Sequence, residues 1–575
     1  AMVARRPALL SALLGLALVG HAGAFHQGVP ALHQRHPSLR SHASKSSVSV
    51  WGAVSAQRLG LGLGRGGRAR LAVTCTAAKE KTDTPAASSQ ESPVKERYPM
   101  DSFVPKGWSR HLHNYKSDPA RFFLAAADDA TAKGSEDAVL LDFGPLFRPK
   151  MVLVHAADDV VHIMSNKKGE FCKSKLRRQT AGMVLGDGLL LSEGEKHLRT
   201  RKVMRPSFEG SSLAKFLNVM EDACTRMTET IGAAVDASPN GEAVVDISEL
   251  IQEATLVMVS KCLFSLSGYG DAKMLKNGIS NTFRYTSKLQ RTPLRGAVKL
   301  AGRLGFSSGY KAFKTALDEM DEYVLKIIAD RRAGLSDEKK DRDMLDMFLR
   351  TKFDDGCGFT DREIRDELVT MLLAGHDTSA LVLMWAFNFL IDRPDLADAI
   401  AAESARALGE PTAEGWKKFS VETVQGLGET DRFLKEVMRL RPPVYEFTRE
   451  VARAHTLPSG LRVKKGQTVI VSAYVQGHKE GFWKAPDSFD PARWAVHDEE
   501  GRVTTNKPAD GTYIPFGFGA RTCIGFRFAE WEMAIMLSHV CRNFLFTSAM
   551  DAPPDFSTHV TLNPSSPIKI RVSRR

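Results

Sequence analysis

The sequence has no Cys-x-x-Cys pair in 575 residues, although it holds seven cysteines. They stand irregularly at 75, 172, 224, 262, 357, 523 and 541. That spacing excludes a zinc ribbon and a dense disulfide scaffold, so each cysteine is judged alone. After the N-terminal eighty residues no apolar run reaches about twenty residues, the length of a bilayer span. From residue 98 onward there is no repeat and no second linker, which excludes a solenoid. Apolar residues at 43% and charged residues at 25% rule out a wholly disordered or fibrous chain.

Acidic residues are absent before Glu80, and this absence explains the charge balance. Residues 1–79 carry ten Lys/Arg and no Asp or Glu, so +10 of the net +12 lies there. The other 496 residues carry +2, which argues against a nucleic-acid-binding body. Arg5 and Arg6 precede an apolar run from Pro7 to Gly20, and Ala22-Gly23-Ala24 offers a cleavage site before Phe25. That is signal-peptide order over residues 1–24. A Ser-, Arg- and Ala-rich, acid-free stretch follows, with transit-peptide composition. Together residues 1–79 resemble the two-part presequence of a secondary plastid. The alternatives are an ordinary secretory signal with a disordered tail, or an anchor in the endoplasmic reticulum membrane. Gly62, Gly64 and Gly67 match a dinucleotide fingerprint, but no strand precedes them and no βαβ unit follows. Residues 80–97 read as a disordered linker.

Residues 98–575 carry a helical period. In 211–235, Leu213, Phe216, Leu217, Met220, Cys224, Met227 and Ile231 recur every three or four positions, the stripe of a core-facing helix. Residues 361–393 predict a longer helix, opened by a Thr360/Glu363 capping box and closed by Arg393-Pro394. Its second half, Leu381 to Ile391, is apolar almost all round and belongs in the centre of the fold. Strand signals come late, at Leu461–Val463, Thr468–Ala473 and Ile568–Val572. The fold class is mainly α with small β-sheets, as one large domain.

Cys523 has a setting that no other cysteine shares. It ends Phe516-Gly517-Phe518-Gly519-Ala520-Arg521-Thr522-Cys523, and a helical pattern starts at Ile524. Glycines permit a tight loop. A helix start and the Arg521 cation favour thiolate over thiol. A lone thiolate in such a loop is either a nucleophile or the axial ligand of a haem iron. The sequence nominates no general base for a nucleophile.

The stretch from Phe516 to Gly525 reads FxxGxRxCxG and resembles the haem-binding loop of the cytochrome P450 family. Three further motifs occur in that family's order. Glu436-Val-Met-Arg439, followed by Arg441-Pro442-Pro443, resembles its ExxR segment. Phe489-Asp-Pro-Ala-Arg493-Trp494 resembles the segment whose arginine completes a triad with that Glu and Arg. Ala374-Gly375-His376-Asp377-Thr378-Ser379 resembles the central-helix motif at the oxygen-binding face. The resemblance spans about residues 98–575.

It implies a haem-thiolate monooxygenase built around haem b, with Cys523 as axial ligand of the iron. Asp377 and Thr378 would be the catalytic pair of a proton relay. Arg201, Arg449 and Arg521 would hold the haem propionates, with His197 in place of a usual tryptophan, and Phe516 and Gly517 would line the loop. Glu436, Arg439 and Arg493 would lock the fold beneath Cys523. Gly375 in a helix interior costs about 1 kcal/mol against alanine, which a gap or kink beside dioxygen would justify. Gly477-His478-Lys479-Glu480 departs from a common family loop. The implied partners are dioxygen, an apolar substrate of lipid, fatty-acid or carotenoid type, and a separate electron donor, ferredoxin or a P450 reductase. Peripheral membrane contact is compatible with this reading. Two other readings stay open: a hydroperoxide rearrangement enzyme of the same family, and a haem-binding sensor or electron carrier.

Overall fold

The structure, a computed structural model, describes residues 108–142, 150–265, 307–334, 343–409, 411, 416–497 and 503–575, with scattered positions in 274–289. All of them fall in one compact unit, Val94–Arg575. The expected presequence and linker lie outside the described residues.

Helices carry the core, and the longest sits at its centre. Helix Asp361–Ile391 starts with the expected capping box. The Glu363 amide donates to Thr360 Oγ1 at 3.2 Å, and the Thr360 amide donates to Glu363 Oε2 at 3.0 Å. Pro394 starts the next helix, Pro394–Leu408. Leu381 to Phe387 and Leu390 are buried, as an all-apolar half-helix demands. By length and hydropathy this helix could cross a membrane, but most of its apolar window is buried inside the fold. Against it pack helices Ile247–Phe264, Ser308–Ala333, Gly428–Leu440 and Phe526–Asn543.

The strands form small sheets. The largest runs Ala138–Leu141, Met151–Val154, Thr468–Val471, Phe447–Val451, Phe171–Lys173. Only its second and third strands are parallel to each other. A second sheet orders Phe544–Ser548, Lys569–Arg574 and Glu242–Asp246.

Several boundaries differ from the sequence expectation. The helix expected over 211–235 is two, Gly210–Ala214 and Leu217–Asp236. Lys215 and Phe216 keep right-handed helical angles at the junction, so the apolar stripe survives the break. The strand expected at Thr468–Ala473 ends at Val471, because the Ser472 side chain caps a new helix, Ala473–His478. Gly477 and His478 therefore close a helix and are not loop residues. A Cβ on Gly477 would lie 2.3 Å from the Arg439 carbonyl oxygen, so only glycine fits.

Gly375 also has a reason other than the expected gap. A Cβ there would lie 2.7 Å from Val259 Cγ2 on helix Ile247–Phe264. The glycine lets two helices approach closely.

Beneath the core, Glu436 gathers five donors. Arg439 Nε and Nη2 reach its two oxygens at 2.8 Å each. Arg493 Nε donates at 2.8 Å, Trp494 Nε1 at 2.9 Å and the Asp490 amide at 2.9 Å. Arg439 also donates to the carbonyls of Gly477, Pro486 and Ser488. Glu436 is fully buried. Burial would push its carboxyl up, but the Arg439 hydrogen bond and charge, with the Asp490 amide and Arg493, hold it below its ordinary value. The expected triad is thus present and fully bonded, extended by Trp494.

Two predictions follow from this packing. Gly375→Ala should destabilise the fold by about 1–3 kcal/mol through overpacking. Adding Val259→Ala should recover part of that loss, as read in a denaturant double-mutant cycle. Glu436→Gln should cost about 3–5 kcal/mol near neutral pH, because Arg439 stays buried without its counter-charge. A depressed carboxyl contributes stability above its unfolded pKa and loses it as pH falls through the folded one. The gap between wild type and Glu436→Gln should therefore narrow only below about pH 4.

Candidate active site

Two glycines shape the loop that carries Cys523. Gly517 has φ +72° and Gly519 φ +70°, angles that side chains rarely adopt. A Cβ at Gly519 would also meet Ser165 Cα at 2.6 Å and the Met164 carbonyl at 2.8 Å, so the loop sits directly on helix Ala157–Ser165. The Cys523 amide donates to the Phe516 carbonyl at 2.8 Å and closes the loop. The following helix starts at Phe526, two residues later than the periodicity at Ile524 predicts. Cys523 thus lies just ahead of the helix, where the Gly525 N–H reaches its sulfur.

Among the described cysteines, Cys224, Cys262 and Cys541 are buried and Cys172 is half-buried. Burial pushes the Cys541 thiol up to about 12, as for an inert core residue. Cys357 and Cys523 are exposed. Burial by the surrounding protein nevertheless raises the Cys523 thiol, against the Gly525 amide and the Arg201 charge. A thiol both accessible and desolvated faces an enclosed space, not bulk water.

The cation beside this thiol is Arg201, not the expected Arg521. Arg201 donates to the Thr522 carbonyl at 2.8 Å. Arg521 turns instead to Glu193, at 3.0 Å. Arg449 is buried and donates to its neighbour's carbonyl, Thr448, at 3.1 Å. Lys173 joins them through strand register, for Lys173 pairs with Arg449 across two neighbouring strands.

These cations are crowded. Burial and then Arg521 push Arg449 down to about 10. Burial, Arg449 and Arg521 drive Lys173 well below its ordinary value. Arg201 and Arg521 are lowered too, chiefly by burial. His197 is buried, and burial with the charges of Arg521, Arg201 and Lys173 lowers it to about 3, so its ring is neutral. Glu193 is the acid set against this group; Glu446 pairs with Arg177 and Glu450 with Lys175. The surplus of positive charge suits an anion with two carboxylates.

The central helix leaves one position of its motif open. Ala374 is exposed although Leu372 and His376, on either side, are buried. Open space therefore lies against the helix at that point. Thr378 donates its hydroxyl to the Ala374 carbonyl at 2.7 Å, the back-bond any helical threonine can make. Its proton is committed, and its oxygen lone pairs remain free to accept. Asp377 Oδ2 accepts from Thr561 at 3.2 Å, which ties the helix to the turn after Phe556–Thr558. His376 Nδ1 lies 3.0 Å from Thr255 Oγ1.

The sequence reading missed Lys173 and Glu193. Glu193 stands one residue before the Gly194–Arg201 segment, so proximity could have flagged it. Only strand pairing reveals Lys173.

A family model described as Cytochrome P450 matches residues 143–572. Human Cytochrome P450 4X1 is 26% identical, over 70% of this chain and 78% of that protein. Leukotriene-B4 omega-hydroxylase 3 of Mus musculus is 26% identical, over 75% of this chain and 84% of its own. Cyclooctatin synthase of Streptomyces melanosporofaciens is 28% identical, over 63% and 73%. Among solved structures, the heme domain of cytochrome P450DA superposes with a TM-score of 0.67 at 20% identity, covering 81% of this chain and 95% of that one. The match runs through the cysteine loop, the triad and the central helix alike, and the chain belongs to the cytochrome P450 family of haem b monooxygenases.

Proposed function

We propose that this monooxygenase oxidises an apolar lipid, with fatty acids and carotenoids as first candidates, using electrons from a separate ferredoxin or P450 reductase. The observation that carries the site assignment is the crowded cation group that Arg201 joins to the Cys523 loop. Cys523 would ligate the iron, and ligation would remove the thiol proton despite the burial that raises its pKa. Arg201, Arg449 and Arg521 would bind the two propionates. Lys173 adds charge to the same place, and neutral His197 can donate one N–H. Bound haem supplies oxygen activation, which a thiolate ligand favours by pushing electron density toward O–O cleavage.

Thr378 would act through its oxygen. With its proton donated to the Ala374 carbonyl, its oxygen would accept a hydrogen bond from a water and hold that water in place. Asp377, fixed by Thr561, would position the helix turn and exchange protons with water. Support for a lipid substrate comes from the leukotriene named in one relative; the cyclooctatin named in another keeps the class broad. Residues 1–79 support a plastid location, where ferredoxin would be the donor; the endoplasmic reticulum is the alternative.

Thr378→Ala should keep haem and fold but divert reducing equivalents to peroxide, with product formation down about 10²–10⁴-fold. Thr378→Ser should restore coupling. The check is product and peroxide per reducing equivalent, with plastid lipid extract as substrate. An unchanged ratio would reduce Thr378 to a helix residue. Equally fast turnover of a lipid hydroperoxide without reductant would favour the rearrangement enzyme. Cys523→Ala should abolish the red-shifted band of the reduced, carbon-monoxide-bound protein. Serine at Cys172, Cys224, Cys262, Cys357 or Cys541 should leave it intact.

A further inference from the structure

His162, Glu170 and His455 converge outside the site described above. Their ligand atoms all lie within 4.8 Å of one another, and all three residues are half-buried. His162 Nε2 stands 3.2 Å from Glu170 Oε2 and 3.4 Å from His455 Nε2. His455 Nε2 stands 3.9 Å from Glu170 Oε2. A tetrahedral ion with nitrogen and oxygen ligands at about 2.0–2.1 Å keeps neighbouring ligand atoms about 3.3–3.4 Å apart. Two of the three edges already match that figure.

The tautomer is set as well. His455 Nδ1 lies 2.9 Å from the Arg453 carbonyl and donates to it, which leaves the Nε2 lone pair facing the other two groups. Rings and backbone hold the geometry. Phe171 packs edge-on against both imidazoles, at 6.1 Å and 5.1 Å between centroids. The Ala452 amide donates to the Glu170 carbonyl at 2.7 Å, and Asn166 bonds both backbone groups of Phe171. Three ligands from three segments are thus pinned before any ion arrives.

We infer that His162, His455 and Glu170 form a binding site for one zinc ion, with an exchangeable water as fourth ligand. Two imidazoles and a carboxylate are a borderline-soft donor set that suits zinc better than calcium or magnesium. The ion would clip strand His455–Thr456 and the residue just before strand Phe171–Lys173 to helix Ala157–Ser165. That helix carries the cysteine loop: Met164 and Ser165 are the atoms Gly519 rests on, and Met164 sulfur lies 3.9 Å from Arg449 Nη2. Zinc would brace the seat of that loop from outside. The metal-binding claim does not depend on the role proposed for Cys523.

The test uses the haem-loaded full chain, equilibrium dialysis against zinc, and metal analysis. Wild type should hold one zinc per chain, with midpoint melting temperature rising as zinc exceeds its dissociation constant. His162→Gln and His455→Gln should each weaken binding at least about tenfold, as loss of one ligand implies, and abolish the melting shift. Cys357→Ser, which removes an exposed thiol elsewhere, should change neither. X-ray absorption of the bound zinc should give nitrogen and oxygen neighbours near 2.0–2.1 Å. Absence of uptake by wild type would overturn the site and leave a hydrogen-bonded His–Glu–His chain. Equal uptake by the variants, or a sulfur shell near 2.3 Å, would overturn it too.

Discussion

Like charges repel strongly where water is scarce, and this fold gathers four cationic side chains near the loop that carries Cys523. Lys173, Arg201, Arg449 and Arg521 come from a strand, a helix, a second strand and the cysteine loop. Three of them are lowered partly by one another, the mark of charge held together against its own repulsion. Such a cluster persists only if the surrounding structure fixes it and a ligand repays it. The rest of the architecture can be understood as meeting those two conditions.

Rigidity comes from below and from the side. Glu436 receives five donors in a fully buried place, and Arg439 also donates to the carbonyls of Gly477, Pro486 and Ser488. Gly477 allows that contact because a methyl group there would strike the Arg439 carbonyl. Gly519 allows the cysteine loop to lie on helix Ala157–Ser165, and Gly375 allows the central helix to lie on Ile247–Phe264. Three glycines at three close approaches thus set where the thiol and the helix face stand. His162, which meets Glu170 and His455, stands on the same helix that supports the loop.

What sequence reading could see follows from the range of each interaction. Local signals were legible: the Thr360 capping box, the apolar half-helix from Leu381, the glycine loop at Cys523 and the ExxR pair three residues apart all act within a few turns. Non-local ones were not. Lys173 becomes a site residue only through pairing with Arg449, 276 positions away. Gly375 reads as a break until Val259 is seen against it. Arg521, two residues before the thiol in sequence, turns to Glu193, because a half-buried guanidinium seeks a carboxylate first. The helix break at Lys215 left no trace in the periodicity, since both junction residues stay helical in φ and ψ.

The central claim is that the cation group exists to receive the two carboxylates of haem b. Haem dimethyl ester, with both propionates capped, tests it most directly. Haem-depleted protein is refilled with haem b or with the ester, and affinities are compared. Two charge-assisted hydrogen bonds at about 1.5–3 kcal/mol each predict ester binding weaker by roughly 10²–10⁴-fold. Equal affinity for the two, with the same thiolate spectrum, would contradict the assignment of Arg201, Arg449 and Arg521.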